Sequence, residues 1–243
     1  MRIKLAKQYF AVNPLWLCLT LTAFAILINL SWWQLSRASE KTEQLQRLAA
    51  LHSAGALTPG QLVTLESTDI DGAPLAGEAR WLAPYIWLLD NQIVEGQVGY
   101  DVIVPVQAGE LKPLLLVNLG WVAGGRDRSQ LPLIEVPERI RLDGLLRTEV
   151  SGLMLLGQNA EETGSWPMRI QQIDYDELAR ISGLNLLPVL LYQQQSSEFI
   201  SHYQPVVLPP EKHRGYALQW FLLAVAVIGV ALAAAHQGRV QGE

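Results

Sequence analysis

His213, Tyr216, Ala217, Trp220 and Phe221 stand at the start of the last apolar stretch of this chain. The first four are spaced i, i+3, i+4 and i+7, so on a helix they share one face. A neutral imidazole at a membrane edge, beside two aromatic rings, suits the axial ligand of a haem whose macrocycle packs on apolar helix while its propionates reach polar groups. In that reading His213 meets the iron and Tyr216 and Trp220 flank the bound group. The same residues also make an interfacial belt with no ligand, because indole and phenol rings settle at the headgroup level. On residue types alone the belt is the commoner outcome, and both readings stay open.

Other chemistries find little footing. The chain has no Gly-rich phosphate loop, no G-x-S-x-G elbow, no H-E-x-x-H and no C-x-x-C. His52, His202, His213 and His236 are dispersed, and three methionines with a single cysteine, Cys18, make no soft-metal site, so copper carriage is not expected. Glu161 and Glu162 are adjacent carboxylates in a polar segment, where solvation is the rule and a tuned acid or base the exception. Arg126 and Arg128 follow Gly124 and Gly125 and have the donors for a bidentate carboxylate clamp, although paired loop arginines are more often solvated. No enzymatic step is expected.

The elements that would position His213 follow from hydropathy. Two charge-free apolar stretches, Leu15 to Leu35 and Tyr216 to Ala235, bracket the chain of 243 residues. Each is about the 20 residues that cross a bilayer core as a helix, and a charge at mid-depth would cost about 3 kcal/mol. Arg2, Lys4 and Lys7 precede the first stretch, which points to a cytoplasmic N-terminus, although Arg37, Lys41, Lys212 and Arg214 lie on the other side. A cleaved signal peptide is the competing reading of the N-terminus, but the apolar run is long for a signal core and no small-x-small site follows Trp32 and Trp33. The expected order is a cytoplasmic N-terminus at 1–14, a transmembrane helix at 15–35, an outer, periplasmic domain at 36–214, a second transmembrane helix at 215–235, and a cytoplasmic tail at 236–243. Gly229 and Ala233 give the second helix small-x-x-x-small spacing, common by chance in Ala-rich spans.

The chain carries a formal net charge of −5, and residues 36–214 alone carry −8. Such a domain is not drawn onto anionic lipid, and with no long basic run nucleic acid is not an expected partner. After the first span, Leu45, Leu48 and Leu51 keep a helical pattern within Arg37 to Ser53, ended by Gly55 and Pro59. Six runs then read as strands: Trp81 to Leu89, Val98 to Val106, Pro113 to Val122, Glu138 to Arg147, Met168 to Ile173 and Val189 to Gln195. Asp174 and Glu177 have capping-box spacing before a helix of about two turns that Gly183 closes. Glu149 to Ser165 reads as a long exposed connection. The fold class expected is two transmembrane helices flanking an α+β domain dominated by an antiparallel sheet or small barrel.

The chain resembles the surfeit-locus-one family of membrane proteins over nearly its whole length. Trp33-Gln34-Leu35 with Arg37 and Lys41 is similar to the family's pattern at the end of the first span. Asp90-Asn91, Gly99-Tyr100 with Pro105, and Val117-Asn118-Leu119-Gly120-Trp121-Val122 with Arg126 resemble its core blocks. Trp166-Pro167 with Arg169 and Gln171, Pro188-Val189, and His213-x-x-Tyr216-Ala217-x-x-Trp220-Phe221 resemble its later ones. The family usually has Arg after both Asn residues, where this chain has Gln92 and, after Asn118, Leu119. Gly120-Trp121 fits a strand end where an aromatic closes the core. The resemblance implies an assembly factor for haem-copper cytochrome c oxidase in a bacterial-type inner membrane, one that provides or inserts haem a. It implies as partners the catalytic subunit and the machinery that makes haem a, with His213 as the axial contact. The alternative is a cofactor-free scaffold that stabilises a half-built oxidase subunit.

Overall fold

The computed structural model describes residues 2–5, 8–11, 13–64, 70–125, 127–128, 130–148, 158–161, 164–195 and 198–240. The chain divides into two compact units, residues 1–47 with 206–243 and residues 48–205. The first contains a short antiparallel ribbon, β1 (Arg2–Leu5) and β2 (Gln8–Ala11), and most of the two long helices, α1 (Pro14–Ser53) and α3 (Pro210–Val240). Both helices are long and apolar enough to cross a membrane. Their apolar side chains, Leu19, Leu21, Ile26, Leu222 and Val225 among them, are exposed along the helices, as lipid contact requires. The first span and the amphipathic stretch after it form one unbroken helix of 40 residues. No Pro or Gly interrupts α1 after its first residue, so nothing in the backbone stops it at Leu35.

The second unit is built on seven strands: β3 (Pro74–Trp81), β4 (Trp87–Val94), β5 (Gln97–Ala108), β6 (Leu114–Ala123), β7 (Arg139–Arg147), β8 (Met168–Ile170) and β9 (Leu186–Gln193). Their order is β3-β7-β9-β6-β5-β4-β8, and an additional β3–β5 pairing closes the first five into a barrel. Closure is possible because β5 is 12 residues long and serves two partners on one edge. Its N-terminal part pairs with β4, while Val106, Gln107 and Ala108 pair with Trp81, Arg80 and Ala79 of β3. A closed barrel leaves these strands with no open edge along the closed seam.

One expectation needs correction. The run from Trp81 to Leu89 is not one strand: β3 ends at Trp81, β4 begins at Trp87, and a turn containing Pro84 separates them. A proline has no N–H for the ladder, and most of β3, with Gly77 in its middle, lies upstream of the run. The sheet is dominated by antiparallel pairs and closes into a barrel, as expected, with β6–β9 and β4–β8 as its parallel pairs. β9 enters between β6 and β7; it is antiparallel to β7 and therefore parallel to β6.

Alternation along the strands explains how one wall of the barrel is buried on both faces. Val102, Val104, Leu115, Val117, Val189 and Leu191 point inward, with Leu142 and Leu146 opposite them. Ile103, Leu116 and Leu190, together with Trp87, point outward into a second apolar cluster under Met168, Ile170 and Leu178. Leu178 belongs to α2 (Tyr175–Ser182), whose N-cap Asp174 accepts a hydrogen bond from Glu177 N at 3.0 Å and whose stop, Gly183, takes φ +70°. Only half of the capping box forms, because the Glu177 carboxylate instead accepts from Asn159 Nδ2 at 2.7 Å. Tyr85, Trp87 and Trp166 meet edge-to-face or stacked beside this cluster, with centroids 5.0 and 5.4 Å apart for the two pairs that include Trp166.

The connection from Glu149 to Ser165 is not simply exposed. Residues 149–157 and 162–163 lie outside the described residues, but Asn159 and Ala160 are buried. Asn159 Oδ1 accepts from the backbone of Gln171 and Gln172, and Ala160 bridges to Ile170. A buried amide that satisfies backbone N–H groups stitches this segment to β8.

Candidate functional site

In the helix unit, α1 and α3 run antiparallel along a seam of small and polar side chains. Ser31, Ala38, His213, Ala217 and Ala224 are buried, although their neighbours along both helices are mostly exposed. Small residues permit close approach, and polar ones then hydrogen-bond across. Ser31 Oγ donates to the Ala217 carbonyl at 2.9 Å, and His213 Nδ1 lies 2.8 Å from Gln34 Oε1. Nearer the end of α1, Arg214 Nη2 donates to Thr42 Oγ1 at 3.4 Å.

The face expected from spacing is therefore divided. His213 and Ala217 turn into the seam and are 9% and 3% exposed, Trp220 is half-buried, and Tyr216 and Phe221 are exposed. The imidazole is not an open surface group, because its Nδ1 finds in α1 an acceptor that an apolar environment would otherwise deny it. Gly229 has nothing within 4 Å of an added Cβ, so its small face is open within the chain.

In the barrel unit the motif residues converge on structure. Gly99 lies under the Trp121 ring, where an added Cβ would come within 2.6 Å of the indole and 2.1 Å of the Val122 carbonyl. Trp121 is buried and its Nε1 donates to the Gln92 carbonyl at 3.0 Å, so this aromatic closes the core as expected of it. Gln92 uses its backbone for this contact and its side-chain amide to reach the Asp90 carbonyl. Leu119 is buried among the inward-facing core residues, an environment that suits an aliphatic side chain. Arg128 pairs with Asp90 and stacks its guanidinium 5.2 Å from the Tyr100 ring centroid, so it is engaged rather than an open clamp. Arg126 and Glu162 lie outside the described residues. Arg169 donates to the Arg128 carbonyl at 2.9 Å and pairs with Glu161, whose hydrogen bond raises the guanidinium pKa further. Glu161 is thus a structural ion-pair partner.

One polar network has no counterpart in the motif reading. Asp101, in the middle of β5, is 1% exposed. Its Oδ2 accepts from Asn118 Nδ2 at 2.7 Å, and its Oδ1 meets His202 Nε2 at 2.6 Å. The carboxylate raises the His202 pKa, against an opposing effect of burial. His202 belongs to a strap that follows β9 and lies along the barrel. Ile200 and Trp121 exchange two backbone hydrogen bonds, Ser201 Oγ donates to the Gln193 carbonyl, and Tyr203 stacks on Tyr192 at 3.9 Å. Burial pushes the Tyr192 hydroxyl up to about 12, so it stays protonated. A single acid inside the otherwise apolar run Val98 to Val106 was the available sign that Asp101 needs a buried partner. Gln34, an amide at the end of a span, was the corresponding sign for His213. Among the described residues there is no group of three or more His, Cys, Asp and Glu side chains placed to hold a metal ion.

A family model described as the SURF1 family matches residues 21–225. No curated protein matches the chain.

The His202–Asp101 pair has a definite pH dependence. Because the folded-state pKa of His202 is raised, the pair's contribution is fully present below the unfolded imidazole value of about 6.5 and is lost as pH rises through the folded value. His202→Gln is expected to lower stability by about 2 kcal/mol at pH 6. Thermal melts of the full chain in detergent should show the gap to the native protein narrowing toward pH 9, whereas a pH-independent gap would contradict the charged pair.

Proposed function

The chain belongs to the SURF1 family, whose members serve cytochrome oxidase assembly, and from that premise we propose that it provides haem a to the catalytic subunit of the oxidase. The observation that carries this reading is a histidine set in the seam of two span-length helices, its ring held by a cross-helix hydrogen bond to Gln34. The donor chemistry fits the cargo. An imidazole nitrogen is a common axial ligand for haem iron, Ala217 one turn on is small, and half-buried Trp220 with exposed Tyr216 and Phe221 adds aromatic surface on the same stretch of α3. His213 is the residue that would meet the iron, and Tyr216 and Trp220 would border the macrocycle. One axial ligand also suits delivery, because a carrier has to release what it binds.

Membership supports a place at a membrane and a role in oxidase assembly. The barrel domain faces the periplasm with both termini cytoplasmic in this proposal, as the basic N-terminal flank favours. The haem-synthesis machinery is the source of the cargo, and the chain performs no chemical step on it.

An optical spectrum of the full chain, purified in detergent from cells that make haem a, tests the carrier reading. The native protein should show haem a and His213→Ala should lose it while keeping its fold. Neither protein binding haem, with the oxidase subunit still co-purifying, would favour a cofactor-free scaffold instead. A reporter fused after Glu243 should behave as cytoplasmic, and a periplasmic signal would overturn the orientation.

A further inference from the structure

Gln34 is half-buried on α1 and places its amide oxygen 2.8 Å from His213 Nδ1. An amide oxygen only accepts, so the proton of the neutral ring sits on Nδ1 and the lone pair is left on Nε2. Among the described residues Nε2 makes no hydrogen bond, and it is not one of the polar atoms sealed from the surface without a partner. The ring is thus oriented at one nitrogen and free to bind at the other, which is the arrangement that second-shell hydrogen bonds impose on ligating histidines.

We propose that Gln34 is the positioning residue of the ligand site: it fixes the tautomer and orientation of His213 so that Nε2 is the ligating atom, and the site exists only while α1 and α3 are paired. The contact joins residues 179 apart in sequence, so neither helix contains the site alone. Ser31, three residues before Gln34 on α1, donates to the carbonyl of Ala217, four residues after His213 on α3, and holds the same stretch of seam closed. A neutral amide acceptor also sets the strength of the ligand. It orients the ring without the extra electron donation that a carboxylate acceptor would give, which keeps Nε2 a moderate donor. The identity of the cargo rests on the carrier reading, whereas the tautomer does not.

The test uses the full chain in detergent, labelled with nitrogen-15 in histidine, and long-range proton–nitrogen correlation with the ring neutral. The native protein should show His213 protonated at Nδ1. Gln34→Leu should lose that preference, and Gln34→Glu, which keeps an acceptor, should retain it. In titrations with haem a, Gln34→Leu should bind about 10- to 100-fold more weakly than the native chain. Gln34→Glu should bind at least as tightly, with a lowered iron reduction potential. A native His213 protonated at Nε2, or a Gln34→Leu protein with the native tautomer, would overturn the assignment. Failure of haem binding in every protein would defeat the carrier reading, and the nitrogen spectra would still decide the role of Gln34.

Discussion

The barrel depends on a wall that has to be buried on both of its faces. Strands β4, β5, β6 and β9 present apolar side chains inward and outward alike, and outward apolar area left in water would cost about 25 cal/mol for each Å². The parts that surround the wall follow from that requirement. The inner face is filled by closing the barrel through β3 and β7, and the outer face is covered by β8, α2 and the aromatic group around Trp166. Of the described residues between β7 and β8, Ala160 joins the outer cluster and Asn159 satisfies backbone groups at its border.

A wall buried on both sides restricts where polar groups can stand, and the two polar contacts of greatest interest obey one rule. Asp101 sits in the wall and is tolerated because Asn118 and His202 take up its oxygens. His213 sits between apolar helices and is tolerated because Gln34 takes up Nδ1. The two sites nonetheless differ in what they leave over. In the barrel, His202 spends Nε2 on a carboxylate, and the pair ties the strap that follows β9 to β5. Between the helices, His213 meets a neutral amide at Nδ1, and among the described residues its Nε2 makes no hydrogen bond. The proposed ligand role of His213 draws on that contrast, whereas the contact of His202 is structural.

Much of this was legible in the chain. The span-length helices declared themselves by charge-free length, and β5, β6, β7 and β9 by short apolar runs between turn residues. α2 was marked by Asp174 and Gly183. Three things were not legible, each for a physical reason. The β3–β4 boundary was hidden because Trp81 and Trp87 are both apolar and the turn between them contains Tyr85 and Ile86, which look like strand residues. A small barrel was one of the two expected forms, but the β3–β5 pairing that closes it and the parallel β6–β9 pair depend on contacts far apart in sequence, which periodicity does not encode. The partners of His213 and Asp101 were hidden likewise, since Gln34 and His202 lie 179 and 101 residues away. Helical spacing placed Tyr216 on the face of His213, but the approach of α1 splits that face and leaves Tyr216 exposed.

The central claim is that haem a reaches the oxidase by way of His213. The most direct measurement is the haem a content of the oxidase catalytic subunit in membranes whose only copy of this chain carries His213→Ala at the native protein level. The account predicts a subunit that is present but deficient in haem a. A fully haem-loaded subunit in those membranes would contradict it.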